Sequence, residues 1–274
     1  MAKRNLNWTD DKLQRYIKEG RGSGEGKDYK PWLITQDYPS MGIATRVMGC
    51  KTNRMHHFFS NVQLQYFYLL EWNNSVSDIR ENYPLLDLRD VVGESDLRLD
   101  KFVDKESKTP FIFTTTFLIT LKNAENNQSY AARSIKYASE LSKKLTLEKL
   151  EIERRYWKAK GIDWAIVTNK EINNVIAKNI EWLHSSMLKD ESIYSNKDEY
   201  LELGNSLLYR LMQNREMSIN KVVLSFEEDY GLQKGNGLAL LKELLAKKII
   251  AADMNKAINL NEKCMSLTYN KDWR

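Results

Sequence analysis

Two strand-like runs, Pro110 to Leu121 and Ser129 to Ala138, flank the turn-forming stretch Asn123-Ala124-Glu125-Asn126-Asn127. Their β-branched and aromatic residues suit a pleated sheet, and the asparagines between them suit a reversal of the chain. A helix over Thr146 to Lys160 follows, stopped by Gly161, and Trp164-Ala165-Ile166-Val167-Thr168 reads as a buried strand. Hairpin, helix, strand confines this part of the chain to a mixed sheet flanked by helices. Upstream, Ser60 starts a short helix over Asn61 to Glu71, and Thr9 or Asp10 caps a first helix. That first helix ends at the glycine-rich run Gly20 to Gly26, which carries neither the P-loop nor the dinucleotide-binding pattern.

After Asn169 the composition turns helical. Helices are expected over Val175 to Met187, Asp198 to Met212, Ile219 to Asp229 and Gly237 to Lys247, with a polar connection over Ser186 to Asn196. Strand-like segments at Lys248 to Asp253, Ala257 to Leu260 and Cys264 to Tyr269 complete a helix-helix-helix-wing order, that of a winged helix. The domain boundary is placed at 169/170. In such modules the third helix often enters the DNA major groove. Here that helix carries Leu238, Leu240, Leu241, Leu244 and Leu245, so packing is the better reading, with spare apolar surface for a partner.

Composition excludes several classes. The 274 residues, 42% hydrophobic and 29% charged, describe an ordinary globular chain of one or two domains. No apolar run approaches a membrane span, and the first residues lack a signal-peptide core, so a cytoplasmic protein is expected. Cys50 and Cys264 are the only cysteines, too few for a disulfide framework or a zinc cluster. Adjacent His56 and His57 point in different directions on a regular element and make no zinc pair with His184 by spacing. Nucleophile-elbow and reactive-cysteine motifs are absent from the sequence.

Ile17-Lys18-Glu19-Gly20-Arg21-Gly22, Gly26-Lys27-Asp28-Tyr29 and Pro31-Trp32-Leu33 resemble the start of the TnsA family. Its members are the endonuclease subunits of Tn-seven-type bacterial transposons. His56-His57, Ser60, Leu70-Glu71-Trp72, Asp78-Ile79-Arg80-Glu81 and Pro84-Leu85-Leu86 continue the likeness, as do Leu147 to Asn173 and Asn179-Ile180-Glu181-Trp182-Leu183. The resemblance implies a restriction-endonuclease-like α/β domain over 1–169 and a partner-binding winged-helix domain over 170–274. It also implies a nuclease site of glutamate, aspartate, glutamine and lysine. This chain places Gln63, Thr116, Ser134 and Lys136 there, so only the lysine remains.

Mg²⁺ is a hard cation that prefers charged oxygen ligands. Without the two carboxylates, the four positions sum to +1 around Lys136, and a divalent ion is repelled. Metal is expected only if another acid has moved in; the acids weighed for this are Asp96, Asp100 and Asp104 upstream of the hairpin, and Glu71, Asp78 and Glu81 at and after the first helix of the site. Structural roles also suit the replacements. Ser60-Asn61-Val62-Gln63 fits a capping box, Thr114-Thr115-Thr116 suits a strand, and Lys136 fits an edge lysine without a task.

From Arg133 to Lys160, nine basic residues face four acids, an excess equal to the +5 of the whole chain. Lys136, Lys143, Lys144, Arg154 and Arg155 are therefore candidates for DNA phosphate contact. Pairing of Glu151 with Arg155 and Glu140 with Lys144 on a solvated helix is the plainer reading. The resemblance implies transposon-end DNA, a TnsB-like transposase and a TnsC-like AAA ATPase regulator as partners, and nucleoid association during transposition. An inactive assembly subunit is the expected function. The alternatives are an active nuclease cutting 5′ ends with a relocated acid, and a winged-helix DNA-binding regulator.

Overall fold

The computed structural model describes residues 8–37, 44–93, 99–188 and 197–269. Asp96, the first seven residues and most of the 186–196 connection lie outside them. The chain divides into two compact units, Met1–Ile172 and Asn173–Arg274.

The first unit is built on a four-stranded sheet of order β3-β4-β5-β6. Its strands are β3 (Val76–Pro84), β4 (Thr114–Lys122), β5 (Gln128–Lys136) and β6 (Asp163–Thr168). The first two pairings are antiparallel and the last is parallel, giving the expected mixed sheet. The Asn123 side chain closes the β4–β5 turn by accepting the amides of Glu125 and Asn127. Asn126 takes a left-handed φ of 66°, which asparagine tolerates. Strand β4 begins later than expected; Pro110 lacks the N–H a ladder needs and pairs only as an isolated bridge with Val103. Strand β6 is half-buried rather than buried, because it forms a sheet edge.

Helix α4 (Lys144–Ala159) lays Ile152, Tyr156 and Trp157 on Leu118 and Ala132 of the sheet, together with Leu85, Phe102 and Leu88 of the short helix α3 (Leu88–Val92). Helix α2 (Asn61–Trp72) packs against β3, β5 and a two-stranded ribbon of β1 (Thr45–Met48) and β2 (Met55–Phe58). Helix α1 (Asp10–Lys18) starts at Thr9, whose hydroxyl accepts the Lys12 amide. The glycine-rich turn after it is structural. Arg21 lies over the Tyr16 ring and bonds Asp37 and the Trp32 carbonyl, and a Cβ on Gly22 would lie 2.2 Å from Pro84 Cγ.

The second unit contains α5 (Asn174–Met187), α6 (Lys197–Gln213), α7 (Ile219–Asp229) and α8 (Asn236–Ala246). A short antiparallel pair, β7 (Ile250–Ala251) with β8 (Thr268–Tyr269), follows. Helix α8 packs against α5, α6 and α7. Leu240, Leu241, Leu244 and Leu245 are all buried, and Leu238 is half-buried. The packing reading holds, but these leucines are not spare surface for a partner. No strand forms over Ala257 to Leu260. Asn179 of α5 binds the carbonyls of Met254 and Lys256 and the amide of Ile258, while the Leu260 carbonyl accepts from Asn220.

Buried Glu227 closes the α7–α8 turn, its Oε1 accepting the amides of Gly235 and Gly237 at 3.0 and 2.8 Å. A Cβ on Gly237 would stand 2.8 Å from Glu227 Cγ. Alanine is favoured over glycine in a helix by about 1 kcal/mol, whereas overpacking costs ~1–3 kcal/mol. Gly237→Ala is therefore expected to lower the melting temperature of the second unit; an unchanged or raised value in a thermal melt would refute the assignment.

Candidate functional site

The β4–β5 ladder runs from Lys122 and Gln128 to Phe117 and Arg133, and continues no further. Strand β5 goes on beside β6 to the pairing of Lys136 with Thr168. At the point where β4 departs, the Thr116 hydroxyl accepts the Ile135 N–H at 3.0 Å. Thr116 thereby satisfies a buried backbone donor that would otherwise be orphaned. The structure thus sets Thr116 beside the β5 segment carrying Ser134 and Lys136.

Ser134 is fully buried. Its hydroxyl donates to Glu153 Oε2 at 2.5 Å and accepts the Trp164 indole N–H at 3.0 Å. Thr115, one residue before Thr116, does the same from β4. It donates to Glu153 Oε2 at 2.9 Å and accepts from Trp157 Nε1 at 2.7 Å. Burial pushes the Glu153 carboxyl above the usual carboxylate range, opposed by the two hydroxyls and by the charge of Lys136.

Glu153 is an acid that the sequence reading did not place at the site: its carboxyl accepts from Ser134 and Thr115 and feels the charge of Lys136. Its signal was present, because Leu150, Glu153 and Trp157 fall at helical spacing on the buried stripe of α4. A glutamate on an apolar stripe needs polar partners.

Gln63 sits at the third position of α2, whose N-cap Ser60 accepts the Gln63 amide. Its side-chain oxygen accepts from the Phe59 N–H at 2.9 Å. The capping arrangement is therefore shifted by one residue from the expected box, which would have used the Ser60 amide. The nearby acids are committed elsewhere. Glu71 accepts the Cys50 amide, and Asp104 closes an exposed turn through the amides of Glu106 and Ser107. Asp100 is exposed in a short 3-10 turn, Asp78 faces Arg80, and Glu81 binds Arg54 and His56. His57 turns instead to Thr35, so the two histidines diverge as expected.

The basic segment divides into two kinds of residue. Glu151 binds both Arg154 and Arg155, and these hydrogen bonds hold its carboxyl down to about 2. The Glu151–Arg155 pair is as expected; the Glu140–Lys144 pair is not. Glu140 belongs to a separate 3-10 turn, Ala138–Ser142, where it accepts the Tyr137 amide. Lys143 and Lys144 are exposed at the start of α4, whose first turn has no acid and whose N-cap makes no side-chain hydrogen bond. Positive charge is disfavoured at a helix N-terminus unless an anion shares the position.

Residues 73–169 match the family model described as TnsA-like endonuclease N terminal, and residues 171–254 match TnsA endonuclease C terminal. The chain is 39% identical over 271 residues to the Transposon Tn7 transposition protein TnsA of Escherichia coli, covering 97% of this chain and 94% of the relative. The chain belongs to the TnsA family. As a TnsA-type chain it has the N-terminal and C-terminal parts of the family. Among its described residues, no helix is long and apolar enough to cross a membrane.

Proposed function

We propose that this TnsA-type protein is a non-cleaving subunit of a transposon's heteromeric transposase, holding transposon-end DNA and taking part in transpososome assembly. The observation that carries this reading is the state of the three replaced positions. Each is neutral, and each polar side chain is engaged in holding the fold: Gln63 to Phe59, Thr116 to Ile135, Ser134 to Glu153. A site for Mg²⁺ needs several hard oxygen ligands, preferably anionic. A single buried carboxyl beside Lys136, already taking two hydroxyl donors on one oxygen, does not fit that requirement. The residues present therefore do not fit the metal of the family's nuclease site, and no cleavage step is assigned through one.

One observation favours the rival reading of an active endonuclease. Glu153 supplies an acid beside Lys136, as a relocated ligand would have to. Its burial and the absence of a second acid from its hydrogen-bond partners weigh against it. A winged-helix regulator is weakened by the packing of α8. Three helices cover it, and Lys242 lies over the Trp182 ring at 4.5 Å rather than reaching outward. Docking of TnsB-like and TnsC-like partners in a bacterial cytoplasm, with the second unit as the regulator's platform, belongs to the same proposal and rests on the family.

DNA contact is expected chiefly from Lys143 and Lys144, because Arg154 and Arg155 already share Glu151. Lys143→Glu with Lys144→Glu should weaken binding to all duplex sequences and flatten the salt dependence by about two units of slope. Arg154→Glu with Arg155→Glu should have the smaller effect. Fluorescence anisotropy with transposon-end duplex across a salt series measures both. Equal affinity and slope for the lysine variant and the parent would refute the proposed DNA face.

A further inference from the structure

Two hydrogen-bond relays, one fully buried and one starting at half-buried Trp164, converge on one atom. Trp164 Nε1 donates to Ser134, which donates to Glu153 Oε2; Trp157 Nε1 donates to Thr115, which donates to the same oxygen. An indole is a donor only, so each tryptophan fills its hydroxyl's acceptor side and leaves the hydroxyl proton to point at the carboxyl. The relays come from β4, β5, β6 and α4, four separate elements. Ser134 and Thr115 are fully buried, so water does not substitute for either hydroxyl.

We infer that Ser134 and Thr115 are positioning residues for Glu153, and that Ser134 is a fixed part of this polar core rather than a gap left by a lost ligand. The consequence concerns reversibility. Glutamine at position 134 would bring a larger side chain into a fully buried space and displace the hydroxyl between Trp164 and Glu153. The substitution that would restore the family's pattern at 134 therefore breaks the arrangement around the acid. Buried polar networks are costly when partly satisfied, so the serine and its two partners change together or not at all. The inference is independent of the DNA-holding role, and its failure would leave that role untouched.

The test uses the full chain with Ser134→Ala, Ser134→Gln, Thr115→Val, Trp164→Phe and the Ser134→Ala/Trp164→Phe pair. Ser134→Ala leaves the half-buried Trp164 N–H without its Ser134 acceptor and should lower the first unit's melting temperature by about 5 °C. Adding Trp164→Phe removes the orphaned donor and should return at least half of that loss, a coupling that simple loss of packing does not produce. Infrared difference spectra supply a second readout. The Glu153 carboxyl band, identified by its disappearance in Glu153→Gln, should shift in Ser134→Ala and Thr115→Val but not in the exposed control Ser142→Ala. If Ser134→Gln does not fold, the alanine and valine variants still decide the matter. A Ser134→Gln protein that melts like the parent would overturn the inference, as would an unmoved Glu153 band in both hydroxyl variants.

Discussion

Arg54→Ala is expected to unfold or nearly unfold the first unit under conditions where the parent is fully folded. The Arg54 guanidinium binds both carboxylate oxygens of Glu81, at 2.9 and 2.5 Å, and donates to the carbonyls of Ile79 and Gly26. His56 Nδ1 lies 2.8 Å from the same carboxylate, and its other ring nitrogen is 2.7 Å from Thr52 Oγ1. All four side chains are buried, and together they tie the β1–β2 ribbon to β3. Removing one partner of a buried pair leaves an uncompensated charge and typically costs ~3–5 kcal/mol, a large part of a domain's whole stability. Chemical denaturation followed by circular dichroism measures the loss; a midpoint within error of the parent would show that the network is dispensable.

The same network sets an acid limit. Burial alone would raise the Glu81 carboxyl, but the neighbouring His56 and the Arg54 guanidinium outweigh it and hold it well below the usual carboxylate range. A depressed folded-state value means the unfolded chain binds the proton first as pH falls. The stabilisation is therefore fully present above the ordinary carboxylate value of ~4.3 and is lost as pH falls below it toward the folded value. Denaturation midpoints of parent and Glu81→Gln should converge on acidification below pH ~4 and separate above it. Parallel curves across that range would contradict the assignment.

How much of this was legible in the sequence depended on whether polarity and burial agreed. Helix α7 was read with its observed bounds because Ser218 caps its start and its buried residues, Val222, Val223 and Phe226, follow helical spacing. The hairpin, α4 and β6 were found for the same reason. Strand β3 was missed: Asp78, Arg80 and Glu81 make it look like a polar loop, yet all three are buried. Only their long-range partners, such as Arg54 and Thr120, explain that, and no local pattern shows them. At the candidate site, Thr116, Ser134 and Lys136 were correctly set on adjacent strands. Glu153 was counted only as one acid in a basic helix, because pattern reading treats glutamate as a surface residue. The Trp157 and Trp164 donors that bind its hydroxyl partners lie on different elements and become visible only in three dimensions.

A subunit that makes no 5′ cut, as proposed above, has a consequence for the products of transposition. If the strand-transfer subunit joins the 3′ ends while the 5′ ends stay attached to the donor, replication yields cointegrates unless another nuclease supplies the missing cuts. Sequencing of insertion products should therefore show cointegrates as the main class.

The most direct test is strand-specific cleavage of end-labelled transposon-end DNA by the assembled complex, with Mg²⁺ or Mn²⁺ and no other nuclease present. The 5′ ends are expected to remain intact, with the same result for the parent and for Glu153→Gln. Cleavage at the 5′ ends that is present with the parent and lost with Glu153→Gln or Lys136→Ala would contradict the account and identify Glu153 as the acid of a working nuclease.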